Sequence, residues 1–268
     1  MLNGLTDSFL VDFPGPTTAL GGPGRGRLAQ LARALALQAR CRGFESLNAH
    51  QVDQPYRSDP DFVVLHTLRC IGVVGEERVA DASGLGIGET VAGLRDLSDR
   101  GLVRLDSGPF GGWGLTESGR ITDQELVRDE LDSVDGRDHV RSRYETFLGH
   151  NPMLLQICSD WQMRRVGNMP TSNDHADPDY DAKVLSRLIR IDASAQRICS
   201  DLANRLMRFG VYGTRLAAAL ERALAGNTAY VADSLDSYHT VWFQLHEDLL
   251  VTLGISREDE RGTYSGSA

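Results

Sequence analysis

The stretch that decides the fold runs from residue 84 to residue 120 and reads GLGIGETVAGLRDLSDRGLVRLDSGPFGGWGLTESGR. Apolar residues recur at three-residue steps up to Leu97, a spacing that predicts a helix with one buried face. Gly101 is placed to end that helix, and the apolar segments 102–105 and 113–116 flank a glycine-rich tip. The stretch therefore predicts a helix followed by a β-hairpin.

Two shorter helices are predicted just upstream. Apolar residues between Phe62 and Ile71 share one helix face, and a second helix over residues 76–82 points Val79 and Ala80 inward. The turn Gly84-Leu85-Gly86 joins the second helix to the third, because glycine can take a positive φ while Leu85 fills the space between two helices. Three helices followed by a hairpin wing make a winged helix.

These residues resemble the winged helix-turn-helix domain of MarR-like bacterial transcription regulators. The resemblance is carried by Gly84-Leu85, by Leu94-x-x-Leu97-x-x-x-Gly101-Leu102-Val103 and by Leu115-Thr116-Glu117-Ser118-Gly119-Arg120. It covers residues 59–120, less than a quarter of the chain. In that family the third helix enters the DNA major groove and the wing approaches a phosphate strand or the minor groove, so the resemblance implies binding to double-stranded DNA.

The resemblance also implies which residues contact DNA. Base-facing positions fall on the first turns of the third helix and phosphate-facing positions on its later turns and the base of the wing. The predicted DNA-binding residues are Ile87, Glu89, Thr90, Arg95, Arg100, Arg104 and Arg120, with Gly86, Gly88 and Gly93 also facing the bases.

The third helix lacks the residue types that usually recognise DNA bases. Arg, Lys, Asn and Gln, which read guanine or adenine through two hydrogen bonds, are missing from its base-facing positions. Residues 59–120 also hold ten carboxylates against six arginines, which opposes the approach of phosphates. An alternative therefore stays open, a winged-helix module that binds a protein or a ligand without reading DNA.

Residues 121–255 predict an all-helical region, so the fold class is mainly α. Helices are predicted over 126–134, 144–148, 153–165, 181–191, 195–207, 212–225 and 235–253, with breaks at 149–152 and 166–178. A helical region behind a winged helix suits homodimerisation, binding of a small-molecule effector, or both. The large apolar residues Trp161, Trp242 and Phe243 are expected in its core or in a dimer interface.

Histidine and acidic residues of the helical region form only a weak metal-binding pattern. His239 and His246, with Glu247 beside the second, share a helix face but lie two turns apart, and the loop 173–177 adds polar groups. One metal ion would need further ligands, so solvent-facing or capping roles are preferred, and no metal or cofactor is predicted. The aspartates 177–181, Asp233 and Asp236 are interpreted as carboxylates at helix starts.

Composition excludes several classes of protein. The chain has a net charge of −9 and a sequence pI near 5.3, which argues against a basic protein that coats nucleic acid. The four cysteines are far apart in the sequence, so neither a disulfide framework nor a zinc finger is predicted. The sequence also lacks an apolar run long enough to span a membrane. We therefore expect a cytoplasmic protein. No nucleophile motif such as G-x-S-x-G is present, so no catalytic residue is predicted and the chain is not expected to be an enzyme.

The first 58 residues are predicted to be disordered or a spurious extension. Residues 26–50 resemble a translated transfer-RNA gene, because Ala29-Gln30-Leu31 and Gly43-Phe44-Glu45-Ser46 are what D-arm and T-arm sequences encode. The native start is then expected between residues 53 and 61. A short basic amphipathic helix over residues 27–40 is the alternative. The predicted layout is an extension over 1–58, a winged helix over 59–120, a helical domain over 121–255 and a flexible tail over 256–268.

Overall fold

The computed structural model describes residues 54–108 and 111–260, which are mainly helical. The block that resembles a transfer-RNA gene and the two residues at the wing tip lie outside the described residues. In chain order the elements are α1 Pro60–Ile71, α2 Glu76–Ser83, α3 Ile87–Asp99, β1 Val103–Asp106, β2 Gly112–Leu115, α4 Glu117–Ser133, α5 Arg137–Gln162, β3 Met163–Val166, β4 Met169–Ser172, α6 Pro178–Ala203, a 3-10 turn Met207–Phe209, α7 Gly210–Leu224, α8 Ala229–Ala232 and α9 Tyr238–Leu253. None of the described helices is long and apolar enough to cross a membrane.

The elements α1 to α3, β1 and β2 form one packed group, here called the first unit. Gly84 ends α2 with a φ of 74°, as the sequence predicted, and Gly101 follows α3 with a φ of 71°. β1 and β2 pair antiparallel, and Val74 adds a bridge to Trp113 beside them. A small apolar core holds the unit together; it contains Val64, Leu65, Leu68, Val79, Leu94, Leu97, Leu102 and Val103.

The helices α5 to α9 surround a second and larger core, here called the bundle. Trp161 and Trp242 are buried in it, as predicted. Phe243 does not lie in this core, because 48% of the residue is exposed and the Arg257 guanidinium lies 5.0 Å from its ring centre, so a dimer interface is the part of its prediction that stays a prediction.

Helix α4 connects the two cores. Its middle packs Leu126 against the core of the first unit, and its C-terminal part places Leu131 in the bundle. The predicted boundary after Arg120 falls inside this helix. The first unit and the bundle are therefore joined by continuous helical backbone.

One predicted helix break, at 149–152, and one gap between two predicted helices, at 192–194, are absent from the structure. Residues 149–152 lie inside α5, whose buried stripe continues from Phe147 to Leu154, and Asn151 accepts a hydrogen bond from Trp242 at 3.1 Å. Residues 192–194 lie inside α6, where Asp192 accepts a hydrogen bond from the Tyr238 hydroxyl at 3.2 Å. The sequence pattern failed because in each case a polar residue with a specific partner occupies the apolar stripe.

One hairpin was not predicted. Residues 163–165 were predicted to be helical and 166–178 to be a break, but β3 and β4 pair antiparallel with Val166 opposite Met169. Gly167 takes a φ of 62° in the two-residue loop Gly167-Asn168. A Gly-Asn pair is a known hairpin signal, but the flanking segments MRRV and MPTS are not apolar, so the sequence contained only part of the information.

The predicted helix-start carboxylates are right in part. Asp177 caps α6 by accepting hydrogen bonds from the amides of Asp179 and Tyr180 at 3.1 Å. The prediction for the two aspartates near α9 is wrong, because Ser237 caps that helix. Asp233 instead accepts a hydrogen bond from Gln162, and Asp236 forms an ion pair with Arg78.

A first prediction tests the contact between α4 and the first unit. A Cβ added at Gly119 would lie 2.0 Å from the carbonyl oxygen of Leu102, a backbone atom that cannot move freely. We expect Gly119→Ala to lower the free energy of unfolding by about 1–3 kcal/mol, measured by urea denaturation. The matched control is Gly149→Ala within α5, where no atom lies within 4 Å of the added Cβ. This control should raise stability by about 0.5–1 kcal/mol, and equal stability of Gly119→Ala and the wild type would contradict the observed packing.

Candidate functional site

Six of the seven predicted DNA-binding residues are exposed. Ile87 and Glu89 lie at the start of α3, and Ile87 is 50% exposed. The exposed arginines among them are Arg95, Arg100, Arg104 and Arg120. Because these six side chains are accessible to solvent, they are also accessible to a large partner.

The prediction for Thr90 is wrong. Its exposed fraction is 0%, so its side chain cannot contact a base in this structure. Gly93 is buried as well, and a Cβ at that position would lie 2.9 Å from a carboxylate oxygen of Asp61. Both residues lie on the face of α3 that packs inward, one helical turn apart from each other.

The first turn of α3 is unusually open. Gly86 precedes the helix in an extended conformation, and no described side chain caps the helix start. A Cβ added at Gly86 or at Gly88 would meet no atom within 4 Å. The free N–H groups of this turn are therefore accessible to an oxygen of an anionic partner such as a phosphate.

The positive charges around α3 differ in their availability. Arg100 forms an ion pair with Asp96 at 3.1 Å and lies 4.0 Å from Asp61. Arg95, Arg104 and Arg120 form no ion pair with any residue of 54–108 or 111–260. Attraction toward an anionic partner would therefore depend mainly on these three arginines.

A buried charged network lies where the first unit meets the bundle, and the sequence had not indicated it. Its centre is Arg208 in the 3-10 turn, whose Nε donates to Glu130 at 2.8 Å and whose Nη1 donates to Asp248 at 2.6 Å. Nη2 donates to the Thr252 hydroxyl at 2.8 Å. No more than 4% of the Arg208, Glu130 or Asp248 side chain is exposed. A buried guanidinium with two carboxylates is fully paired, which is the condition for tolerating such a charge.

His66 extends the network into α1. Its Nδ1 lies 2.9 Å from Asp123 and its Nε2 lies 3.1 Å from Asp248. Burial lowers the pKa of His66, but Cys70, Asp123 and Asp248 together outweigh burial and raise that pKa well above its usual value. Because burial also raises the pKa of the Cys70 thiol, we attribute the effect mainly to the two carboxylates. Each ring nitrogen then carries a proton and donates to a carboxylate.

Asp248 on α9 is the common acceptor. Its Oδ1 accepts from Arg208, His66 and Thr252, and its Oδ2 accepts from the Tyr212 hydroxyl at 2.9 Å. Burial alone raises the pKa of Asp248, but Arg208 and His66 reverse this effect and hold the pKa well below its usual value. The Ser58 hydroxyl adds a further hydrogen bond, to Glu130. Four separate stretches of the chain, 58–66, 123–130, 208–212 and 248–252, thus meet in one buried network.

The same place contains the one cluster of metal-ligand atoms found within the described residues. Atoms of His66, Cys70 and Asp248 lie within 4.8 Å of one another. Asp248 Oδ1 already has three donors, and the positive charge of Arg208 lies 2.6 Å from it. A metal ion would have to displace these donors and face that charge. The arrangement therefore favours a proton on His66 over a metal ion.

The histidines singled out from the sequence have other partners. His246 bonds to Glu260 at 2.6 Å and lies against the ring of Phe147. His175 bonds to Asp181 at 3.0 Å in the polar loop before α6. Burial lowers the pKa of His239. Within the described part of the chain these histidines do not gather three metal-ligand atoms.

The network was missed because its members are spread from residue 58 to residue 252. One signal was available, since His66 and Asp248 each occupy the buried face of an otherwise apolar helix. A buried ionisable residue requires a partner, so each of them predicts another charged group nearby. The sequence pattern does not identify that partner.

A second prediction concerns Arg208. Replacement by Met keeps much of the side-chain volume but leaves Glu130 and Asp248 without their cation. We expect Arg208→Met to lower the free energy of unfolding by about 3–5 kcal/mol, measured by urea denaturation at neutral pH. The control is Arg143→Met, because Arg143 forms a partly exposed ion pair with Asp201. A loss no larger than that of the control would show that Arg208 is not buried as described.

A third prediction concerns the charge of His66. A folded-state pKa above the unfolded value stabilises the protein fully at low pH, and this contribution is lost as the pH rises from about 6.5 through the raised value. The wild type should therefore lose stability over this range relative to His66→Gln, with urea denaturation at each pH as the measurement. Parallel curves for the wild type and His66→Gln would show a neutral ring.

Comparisons of the chain with protein-family models, with curated proteins and with solved structures find no match. Function is therefore inferred from the geometry and charge of the described residues.

Proposed function

We propose that the chain is a DNA-binding transcription regulator whose first unit is a winged helix-turn-helix. In this proposal α2 and α3 are the helix-turn-helix, α3 is the recognition helix, and the β1–β2 hairpin is the wing. The bridge from Val74 to Trp113 supplies the short third strand that a winged helix places beside its wing. The observation that carries the proposal is the open first turn of α3, which follows a tight glycine turn and exposes Ile87 and Glu89.

The chemistry of that turn suits DNA. Exposed backbone N–H groups at a helix start bind phosphate oxygens, and the glycines at 86 and 88 allow the sugar-phosphate backbone to approach closely. Ile87 offers an apolar contact for a thymine methyl group, and Glu89 can accept from the amino group of cytosine. With Thr90 buried, recognition depends on fewer base contacts than the sequence had suggested.

The distribution of charge would confine DNA binding to the surface around α3 and the β1–β2 hairpin. Arg95, Arg104 and Arg120 are the exposed arginines around α3 and the hairpin without an ion pair among the described residues. The chain as a whole carries a net charge of −9, so DNA would be repelled elsewhere. We therefore expect specific binding that weakens steeply with salt.

The bundle is proposed to dimerise the protein. A dimer would place two α3 helices in successive major grooves of a palindromic site. Exposed apolar side chains of the bundle provide surface that association could cover; they are Met153, Leu155, Met163, Met169 and Leu235. The protein would act on DNA in the cytoplasm.

One observation favours a second function. Arg100 is already paired with Asp96, and Glu89 and Asp99 are exposed on the same helix. An acidic face of this kind suits a basic protein partner better than a phosphate backbone. The alternative is a winged-helix module that binds a protein.

A fourth prediction separates the two functions. The full chain should bind double-stranded DNA from its own upstream region in a fluorescence anisotropy titration with nonspecific competitor. Arg95→Ala combined with Arg104→Ala should weaken binding and reduce the slope of log affinity against log salt by about 2, roughly 1 for each lost phosphate contact. Arg190→Ala, at an exposed position on α6, is the matched control and should bind like the wild type. A folded wild-type protein that does not bind this DNA at low salt would favour the protein-interaction module.

A further inference from the structure

A second feature of the junction is an open cavity of about 350 Å³. It lies between the end of α1, the middle of α4, the start of α5 and the end of α9. Its polar edge is formed by three arginines: Arg69 from α1, Arg128 from α4 and Arg137 from α5. Its apolar wall includes Val127, Leu250 and Ile255.

The charge of this cavity is unusual for the chain. Three guanidinium groups line it, and no carboxylate side chain occurs among the described residues that line it. Several arginines elsewhere are neutralised by a carboxylate, as Arg143 is by Asp201 and Arg187 is by Asp160. Positive charge concentrated in a recess of an acidic protein attracts small anions, because the recess focuses the local field.

The arginines of the cavity also have unused hydrogen-bond donors. The Nε of Arg69 is buried and has no hydrogen-bond partner in the described part of the chain. Arg128 forms no ion pair with a described residue, and Arg137 makes one long hydrogen bond of 3.4 Å, to the carbonyl of Leu253. Arg128 and Arg137 are exposed, so their guanidinium donors are accessible, and an oxyanion would supply several acceptors at once.

Size and lining restrict the ligand further. A volume of about 350 Å³ is near the lower end for small-molecule sites, so a compact ligand fits it. The apolar residues that line the cavity offer no partner to a bare inorganic ion. The cavity therefore suits an anion that also carries a compact apolar body.

We propose that this cavity is a binding site for a small organic anion, with a phosphate or carboxylate group held by Arg69, Arg128 and Arg137. The occupant would bridge the first unit, through Arg69, and the bundle, through Arg137. Thr252 lines the cavity and also bonds to Arg208 and Asp248, so the site shares a residue with the buried network. Control of DNA affinity by the anion would rest on the proposed function, whereas the binding itself is independent of it.

The experiment measures binding to the full chain without DNA. Phenyl phosphate is titrated at constant ionic strength, and the melting temperature and the heat of binding are recorded. We expect a saturable rise in Tm, with tighter binding of phenyl phosphate than of inorganic phosphate because of the apolar wall. Arg128→Gln should weaken binding by about tenfold or more, as expected for the loss of a charge-assisted contact.

Two controls keep the test decisive. Arg141→Gln removes an exposed arginine of α5 that does not line the cavity, and this variant should bind phenyl phosphate like the wild type. Arg128 is itself exposed, so its replacement should leave the melting temperature without ligand unchanged. The proposal is overturned if phenyl phosphate gives no saturable response, or if Arg128→Gln binds as tightly as Arg141→Gln. Loss of DNA binding alone would leave these outcomes unaffected.

Discussion

The pairing of one buried guanidinium constrains the rest of the structure. Arg208 can lie inside the protein only while Glu130 and Asp248 both face it, and Asp248 in turn holds His66. These residues belong to α4, α9 and α1, so the requirement fixes the first unit against the bundle in a single arrangement. Apolar packing alone would allow small sliding between helices, whereas short hydrogen bonds between charges do not. The network adds specificity of arrangement more than stability, because the cost of burying each ion offsets much of the attraction between them.

The sequence predicted the structure where local rules dominate. Apolar spacing predicted α1 to α3 closely, and the glycines at 84 and 101 took the positive φ values that end helices. It failed where one tertiary contact decides the outcome. The predicted break at 149–152 and the gap at 192–194 are both helical, and in these places Asn151 and Asp192 accept hydrogen bonds from Trp242 and Tyr238. The candidate site was predictable in its exposed arginines but not in Thr90, since helical periodicity over one short turn does not separate the base-facing side from the buried side.

Attachment of the first unit to the bundle affects how α3 could act. In a flexible arrangement α3 would explore many orientations, and a dimer would seldom present both helices at the spacing of one DNA turn. Here α4 runs unbroken from the hairpin into the bundle, and the network fixes α1 beside it. The orientation of α3 is thus set by groups far from its exposed face. Proton loss from His66 would loosen the junction and an occupant of the arginine-lined cavity would tighten it, and either change would act on that orientation.

The hydrogen bond between His66 and Asp248 joins residues that are 182 positions apart. Synthesis on the ribosome proceeds from the N-terminus, so α1 emerges long before the helix that will neutralise its histidine. Until α9 is made, the Nε2 of His66 lacks its acceptor Asp248, and only Nδ1 has a carboxylate partner within reach, Asp123 of α4. The buried network is therefore complete only when the last long helix has been made. Truncation before residue 248 would leave Arg208 and His66 without Asp248, the acceptor that they share.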